Sequence, residues 1–128
     1  MNTDSIQITN KTKGKLPRLP FVEAKEKILG NEYNLSLVFI GASKSRELNQ
    51  KYRTKDKVAN VLSFPLENNS GEIFITPSKA KTEAKKFDMT THDFILYLFI
   101  HGLLHLKGLD HGEEMDREEE KYKKEFIK

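Results

Sequence analysis

Phe94-Ile95-Leu96-Tyr97-Leu98-Phe99-Ile100-His101-Gly102-Leu103-Leu104-His105-Leu106-Lys107-Gly108-Leu109-Asp110-His111 joins an unbroken apolar run to three of the four histidines in the chain. The run over residues 94–100 is far shorter than the roughly 20 residues a membrane span needs. It is apolar on every side, so a helix over residues 92–107 should be the central, buried helix of the domain. His101 and His105 are four apart and share a helix face, one turn above each other, so their rings can reach a common point. Gly108 can end the helix in a left-handed conformation and turn the chain back, bringing His111 from a third direction.

Three neutral imidazoles converging on one point make a metal site with a vacancy. Zinc sites with three protein ligands and an open position are typically catalytic, whereas structural sites are closed by four. A His-x3-His pair alone is also what surface decoration or core packing produces. The third histidine and the apolar surroundings favour the metal, because three buried imidazoles without a shared ligand carry an uncompensated desolvation cost. One Zn2+ is the expected ion, although neutral imidazoles also bind other divalent transition metals. His92, alone near a helix start, is not expected to be a ligand.

The 128 residues suit one domain, 1–128, with 32% charged and 37% hydrophobic residues. There is no cysteine, which excludes a disulfide framework and Cys-based zinc ligands and fits a reducing compartment. Met1-Asn2-Thr3-Asp4-Ser5 lacks the basic start and apolar run of a signal peptide. The expectation is a cytoplasmic protein with no membrane association. Net charge is only +3, but it is unevenly spread. Acids concentrate after His111, while Lys11, Lys13, Lys15 and Arg18, then residues 44–57, then 79–86 are basic, a one-sided field for a phosphate-rich partner.

Along the chain, Ser5-Ile6-Gln7-Ile8-Thr9 alternates as a half-buried strand. Pro20 and Gly30 bracket a short amphipathic helix over residues 21–29. Residues 35–40 read as a largely buried strand ended by Gly41. Ser43 is a plausible N-cap for a helix through Lys51, with Leu48 and Tyr52 on one apolar face. After a charged loop, Asn60-Val61-Leu62-Ser63-Phe64-Pro65 is a strand that Pro65 ends or confines to an edge. Asn68-Asn69-Ser70-Gly71 is a turn leading into Glu72-Ile73-Phe74-Ile75, so the pair reads as a hairpin. Thr76-Pro77 starts a helix on which Ala80, Ala84 and Phe87 share one face. After a break at residues 88–91 and the histidine helix, residues 113–126 form a surface helix. Its apolar stripe is Met115, Tyr122 and Phe126, with acids early and Lys121, Lys123, Lys124 and Lys128 late, as the helix dipole prefers. The expected fold is α+β: a four-stranded mixed β-sheet with packed α-helices and a central buried helix carrying the metal ligands.

A His-ligated zinc lowers the pKa of bound water from ~15.7 to about 7, which suits hydrolysis. The spacing His-x3-His-x2-Gly-x2-His also matches the ligand frame of metzincin proteases, where a Glu serving as general base follows the first His. Gly102 stands there instead, so a zinc metallopeptidase reading loses its proton shuttle.

The stretch from His101 to His111, with Leu48-Asn49-Gln50-Lys51-Tyr52-Arg53-Thr54-Lys55-Asp56 and Asn60-Val61-Leu62-Ser63-Phe64-Pro65 before it, resembles the YbeY family of metal-dependent endoribonucleases and rRNA maturation factors. The resemblance spans about residues 40–115. It implies a single-strand-specific RNase acting in rRNA processing, notably at the 3′ end of 16S rRNA, and in quality control of the small ribosomal subunit. It also implies His101, His105 and His111 as zinc ligands and Arg53 as a functional arginine, so Arg53 and His101 are the expected catalytic residues. A guanidinium suits that role, gripping a phosphate through two parallel hydrogen bonds and stabilising a five-coordinate phosphorus. Asp110 is either a turn residue or an acceptor that orients a ligand imidazole. Lys55 and Asp56 belong either to an RNA-facing loop or to a surface ion pair. Ser63 is a further RNA-contact candidate that a strand end also explains. The family usually carries Thr-Asp before Val-Leu-Ser-Phe-Pro, whereas this chain has Ala59-Asn60, which keeps the hydrogen-bonding shape and loses the negative charge. A third reading is a non-catalytic ribosome assembly factor whose metal only pins His111 to the central helix.

Overall fold

The computed structural model describes residues 5–127. The leader-peptide reading of residues 1–4 and the place of Lys128 therefore lie outside the described residues. The elements run β1 (Ile6–Asn10), α1 (Phe21–Leu29), β2 (Asn34–Phe39), α2 (Ala42–Arg53), β3 (Val61–Leu66) and β4 (Ser70–Ile75). They continue with α3 (Pro77–Ala84), a 3-10 turn over Lys85–Phe87, α4 (Thr91–Leu106) and α5 (Glu113–Phe126).

The four strands form one mixed sheet in the order β1-β2-β4-β3. β1 with β2 and β2 with β4 are parallel, while β3 and β4 are antiparallel. A parallel pair needs a crossover connection, and α1 supplies it between β1 and β2. Asn68 and Asn69, at φ 58° and 57°, turn β3 into β4, as asparagine tolerates better than most residues. β4 rather than β3 takes the inner place. Pro65 has no N–H to give to a second neighbour, which suits β3 to the edge.

Leu35, Leu37, Phe39, Ile73 and Ile75 are all buried, and their positions are in register on one face of the sheet. α4 packs against that sheet through β3 and β4 and also against α1, α3 and α5, which makes it the helix around which the rest is arranged. Nine of its residues are buried, including Phe94, Phe99, Leu103 and Leu104. Phe99 meets Phe21 of α1 edge to face at 5.1 Å, a favoured aromatic geometry. At Gly102 the helix comes so close to the sheet that a Cβ would sit 2.8 Å from Ser63 Oγ and 3.1 Å from Ile73 Cδ1. Thr90 caps α4, its hydroxyl accepting from the Asp93 amide at 3.1 Å. Among the described residues no helix is long and apolar enough to cross a membrane.

Three local expectations need correction. α2 starts at Ala42 with Gly41 as N-cap, so Ser43 lies inside the helix. Its inward face is Ser45 and Asn49, not Leu48 and Tyr52, and Tyr52 is 58% exposed. Those two polar side chains bind the following loop: Ser45 Oγ donates to the Ala59 carbonyl and accepts from the Ala59 amide, both at 2.9 Å, and Asn49 Nδ2 donates to the Lys57 carbonyl at 2.9 Å. Ala80 and Ala84 are buried as expected, but Phe87 is 63% exposed because the chain tightens into a 3-10 turn before it. Thr76 occupies the N-cap position of α3 without a side-chain capping bond.

Phe99→Ala should lower unfolding free energy by about 3–5 kcal/mol, and Phe87→Ala by less than about 1 kcal/mol. Urea unfolding of the two variants beside wild type checks both values.

Candidate metal centre

Helix α4 presents His101 and His105 one turn apart, with ring centroids 4.5 Å from each other. The helix ends in a Schellman motif: the Gly108 amide donates to the His105 carbonyl and the Leu109 amide to the Leu104 carbonyl, both at 3.0 Å. Gly108 has φ 108°, a value that favours glycine. The reversal brings the His111 ring to 5.7 Å from His101 and 5.2 Å from His105. One ring nitrogen from each of the three lies within 4.8 Å of the others, a group that can hold a metal ion.

The outer nitrogens decide what the inner ones offer. His105 Nδ1 lies 3.0 Å from the Leu109 carbonyl, which only accepts, so Nδ1 carries the hydrogen. His101 Nδ1 lies 3.0 Å from Glu119 Oε2, and an ionised carboxylate likewise only accepts. The inward atoms are then the two Nε2, which stand 3.0 Å apart. With both rings neutral, two lone pairs facing each other at that distance would repel, and either a metal ion or a proton shared between the two nitrogens relieves this. Nitrogens bound to one tetrahedral zinc at about 2.0–2.1 Å are separated by roughly 3.4 Å, close to the spacing found. The donor set therefore fits a divalent ion.

The electrostatics favour a neutral His105 and an ionised Glu119. Burial pushes the His105 pKa down, the charge of His101 adds to this, and the Leu109 hydrogen bond opposes it; the net effect favours the neutral ring. Burial alone would push Glu119 up, but the hydrogen bond and charge of His101, with the Tyr97 hydroxyl, outweigh it and hold the carboxyl below its ordinary value. Tyr97 is pushed up to about 12, first by burial and then by the charge of Glu119, so at neutral pH its hydroxyl stays protonated.

A cavity of about 500 Å3 opens beside His101 and Glu119. A second, of about 260 Å3, is lined by Arg53, Lys55, Lys57 and Lys79. The two share Asn60, Val61 and Glu83 as a common wall.

The sequence model of the family described as "Endoribonuclease YbeY" matches residues 2–127. The chain belongs to the YbeY family. Among its relatives, the "Endoribonuclease YbeY" of Finegoldia magna is 40% identical over 94 residues, 68% of this chain and 61% of that protein. That of Thermodesulfovibrio yellowstonii is 42% identical over 97 residues, 70% and 60% of the two chains. The aligned stretches thus span about three fifths of these relatives' length. The solution structure of TM1509 from Thermotoga maritima is similar in fold, with a TM-score of 0.65 and 30% identity, covering 94% of this chain and 87% of that one.

Within this YbeY-type fold, the residues singled out in the sequence fall in several places. His101, His105 and His111 come together. Arg53 ends α2 and, with Lys55, lies across the Asn60 wall from the histidines. Ser63 sits under α4, donating to the Gly102 carbonyl at 3.2 Å, so it contacts the ligand helix from the sheet side. Asp110 is exposed, and its charge bears on His105; the acceptors on the histidine rings are Glu119 and the Leu109 carbonyl instead. Asp56 takes the ion-pair alternative, accepting from Arg46 at 2.6 and 3.1 Å. Asn60, at the position where the YbeY pattern usually has Asp, donates to Glu83 Oε1 at 2.8 Å. A carboxylate there would face Glu83 as a like charge.

Glu119 was not singled out in the sequence, although a signal existed. It is four residues after Met115 and three before Tyr122, so it lies on the otherwise apolar buried stripe of α5. An acid on such a stripe needs a partner, and His101 is that partner.

Because the folded-state pKa of Glu119 lies below its ordinary 4.5, the folded protein binds fewer protons there than the unfolded chain. The stabilisation is complete above that ordinary value and is lost as pH falls through the depressed one. Glu119→Gln should therefore lower the urea midpoint of the metal-free protein at neutral pH, with the gap to wild type closing in acid. Midpoints measured across the acid range check it.

Proposed function

We propose that this chain is a zinc-dependent endoribonuclease specific for single strands, acting in the cytoplasm on the 3′ end of 16S rRNA and in quality control of the small ribosomal subunit. Residues 1–128 would work as one YbeY-like domain. The observation that carries the reading is the pair of inward Nε2 atoms 3.0 Å apart, joined by His111 and set beside the arginine- and lysine-lined cavity. The relatives' name, Endoribonuclease YbeY, supports the substrate class.

His101, His105 and His111 would hold one Zn2+. When bound, the ion supplies a Lewis acid that lowers the pKa of water and polarises a phosphoryl oxygen. Glu119 and the Leu109 carbonyl keep the His101 and His105 rings in the tautomer that offers Nε2, a common device behind metal-binding histidines. Arg53, with Lys55 and Lys57, holds the RNA backbone, the arginine through a bidentate grip on a phosphate whose charge grows in the transition state. Ser63 holds α4 to the sheet edge through Gly102. The Tyr97 hydroxyl keeps its proton and can only steady Glu119. A glutamate in place of Gly102, as a metzincin would need, would have to enter the packed contact with Ser63 and Ile73, which weighs against the peptidase reading.

The test combines elemental analysis with cleavage of unstructured RNA, and casein as the control. Wild type should carry zinc, cleave RNA and not casein, and lose cleavage to chelator. His101→Ala should lose both metal and cleavage. Arg53→Ala should keep its metal and lose about 100- to 1,000-fold in rate. RNA cleavage that survives chelator and His101→Ala overturns the reading. Ribosome binding without any chelator-sensitive cleavage would favour the assembly-factor alternative, and a 2′,3′-cyclic phosphate on the product would exclude direct attack by water.

A further inference from the structure

Three aromatic rings form a ladder along the larger cavity. Phe87 and Phe94 stack with centroids 5.5 Å apart and planes 16° from parallel, and Phe94 and Tyr97 follow at 6.0 Å and 25°. Phe94 is buried, whereas Phe87 is 63% exposed, the most exposed large hydrophobic side chain among the described residues. One face of Phe87 is thus covered by Phe94. The 3-10 turn over Lys85–Phe87 and the left-handed Asp88, at φ 54°, carry this ring away from the buried line of Ala80 and Ala84. Stacking on Phe94 accounts for one face of the ring and leaves most of it open.

The titratable lining of this cavity is mainly acidic. Glu83, Asp116, Glu119 and Glu120 face it against the single amine of Lys123. Such a lining repels phosphate. The adjoining cavity is cationic through Arg53, Lys55, Lys57 and Lys79, and the two meet at Asn60, Val61 and Glu83. A single strand lying across this wall would have its charged backbone drawn to one side and its neutral bases to the other. The volume of about 500 Å3 is within the ~300–1,000 Å3 usual for small-ligand pockets.

We propose that the cavity beside Phe87 and Tyr97 binds one unpaired nucleobase of the RNA substrate, stacked on Phe87, next to the scissile phosphate. The carboxylate lining accepts hydrogen bonds from an exocyclic amino group, so adenine, cytosine or guanine is preferred there. Uracil has no exocyclic amino group, and its N3–H is flanked by two carbonyl oxygens that the same carboxylates repel, so it is disfavoured. This inference rests on the RNA-cleaving reading and adds base selection at the same site.

The test uses the full-length zinc-loaded protein and a short unstructured RNA in which one 2-aminopurine, itself an amino-bearing base, is walked along the strand. Stacking quenches its fluorescence. One position should be quenched by wild type and by Phe87→Tyr but not by Phe87→Ala. In cleavage assays Phe87→Ala should raise KM about tenfold with kcat little changed, the size expected for losing one stacked base. Uracil at the quenched position should cost wild type a comparable factor and cost Phe87→Ala nothing further. Quenching at no position, or the same quenching with Phe87→Ala, overturns the base site. If wild type does not cleave RNA yet quenching depends on Phe87, the base site stands and the nuclease reading falls. If chelator-sensitive cleavage is present and Phe87→Ala matches wild type in KM and base preference, the nuclease reading stands and the base site falls.

Discussion

Two hydrogen bonds on the outer edges of two imidazoles govern the centre of this protein. Glu119 on His101 and the Leu109 carbonyl on His105 each fix a ring proton at Nδ1. The two Nε2 atoms thereby face each other at 3.0 Å. With both rings neutral that arrangement is unfavourable in isolation, and the surrounding structure maintains it. Leu109 is placed by the Schellman turn at Gly108, Glu119 by the packing of α5 on α4, and α4 itself by its close approach to the sheet at Gly102. A cation between the rings converts the repulsion into coordination, so the fold is built to gain from binding an ion.

A second set of polar contacts holds the loop that borders the site. α2 turns Ser45 and Asn49 inward and binds the backbone at Lys57 and Ala59. Hydrogen bonds thus take the place of apolar packing under this helix, and they hold the segment between Arg53 and Asn60, both of which line the cationic cavity. Asn60 in turn binds Glu83 of α3. The wall between the cationic and acidic cavities is consequently a hydrogen-bonded structure with defined partners, and it gives the surface a polarity of charge across a few residues.

Much of the architecture was legible in the chain. Period-two alternation and the Asn68-Asn69 turn identified the strands and the hairpin, and the all-round apolar character of residues 94–100 identified the helix that lies at the centre. The order of the sheet was not legible, because the pattern of β3 and β4 says that they pair and not which of them lies beside β2. Phe87 was misread because helical periodicity was extended through a segment that tightens to three residues per turn. The apolar face expected on α2 was misread because hydrogen-bonded serine and asparagine can be buried as readily as leucine once partners exist.

The sequence alone determined the histidine spacing, the helix that carries two of the rings and the glycine that permits the chain to reverse. Those are local properties, set by 3.6-residue periodicity and by the backbone freedom of a residue without Cβ. Tertiary structure alone decided that Glu119, on a different helix, supplies the acceptor for His101. It also decided that Arg53 lies across Asn60 from the histidines and that Phe87 stands in the open beside them. Each of these depends on how helices pack over one sheet, and packing joins residues whose separation along the chain carries no signal of their meeting.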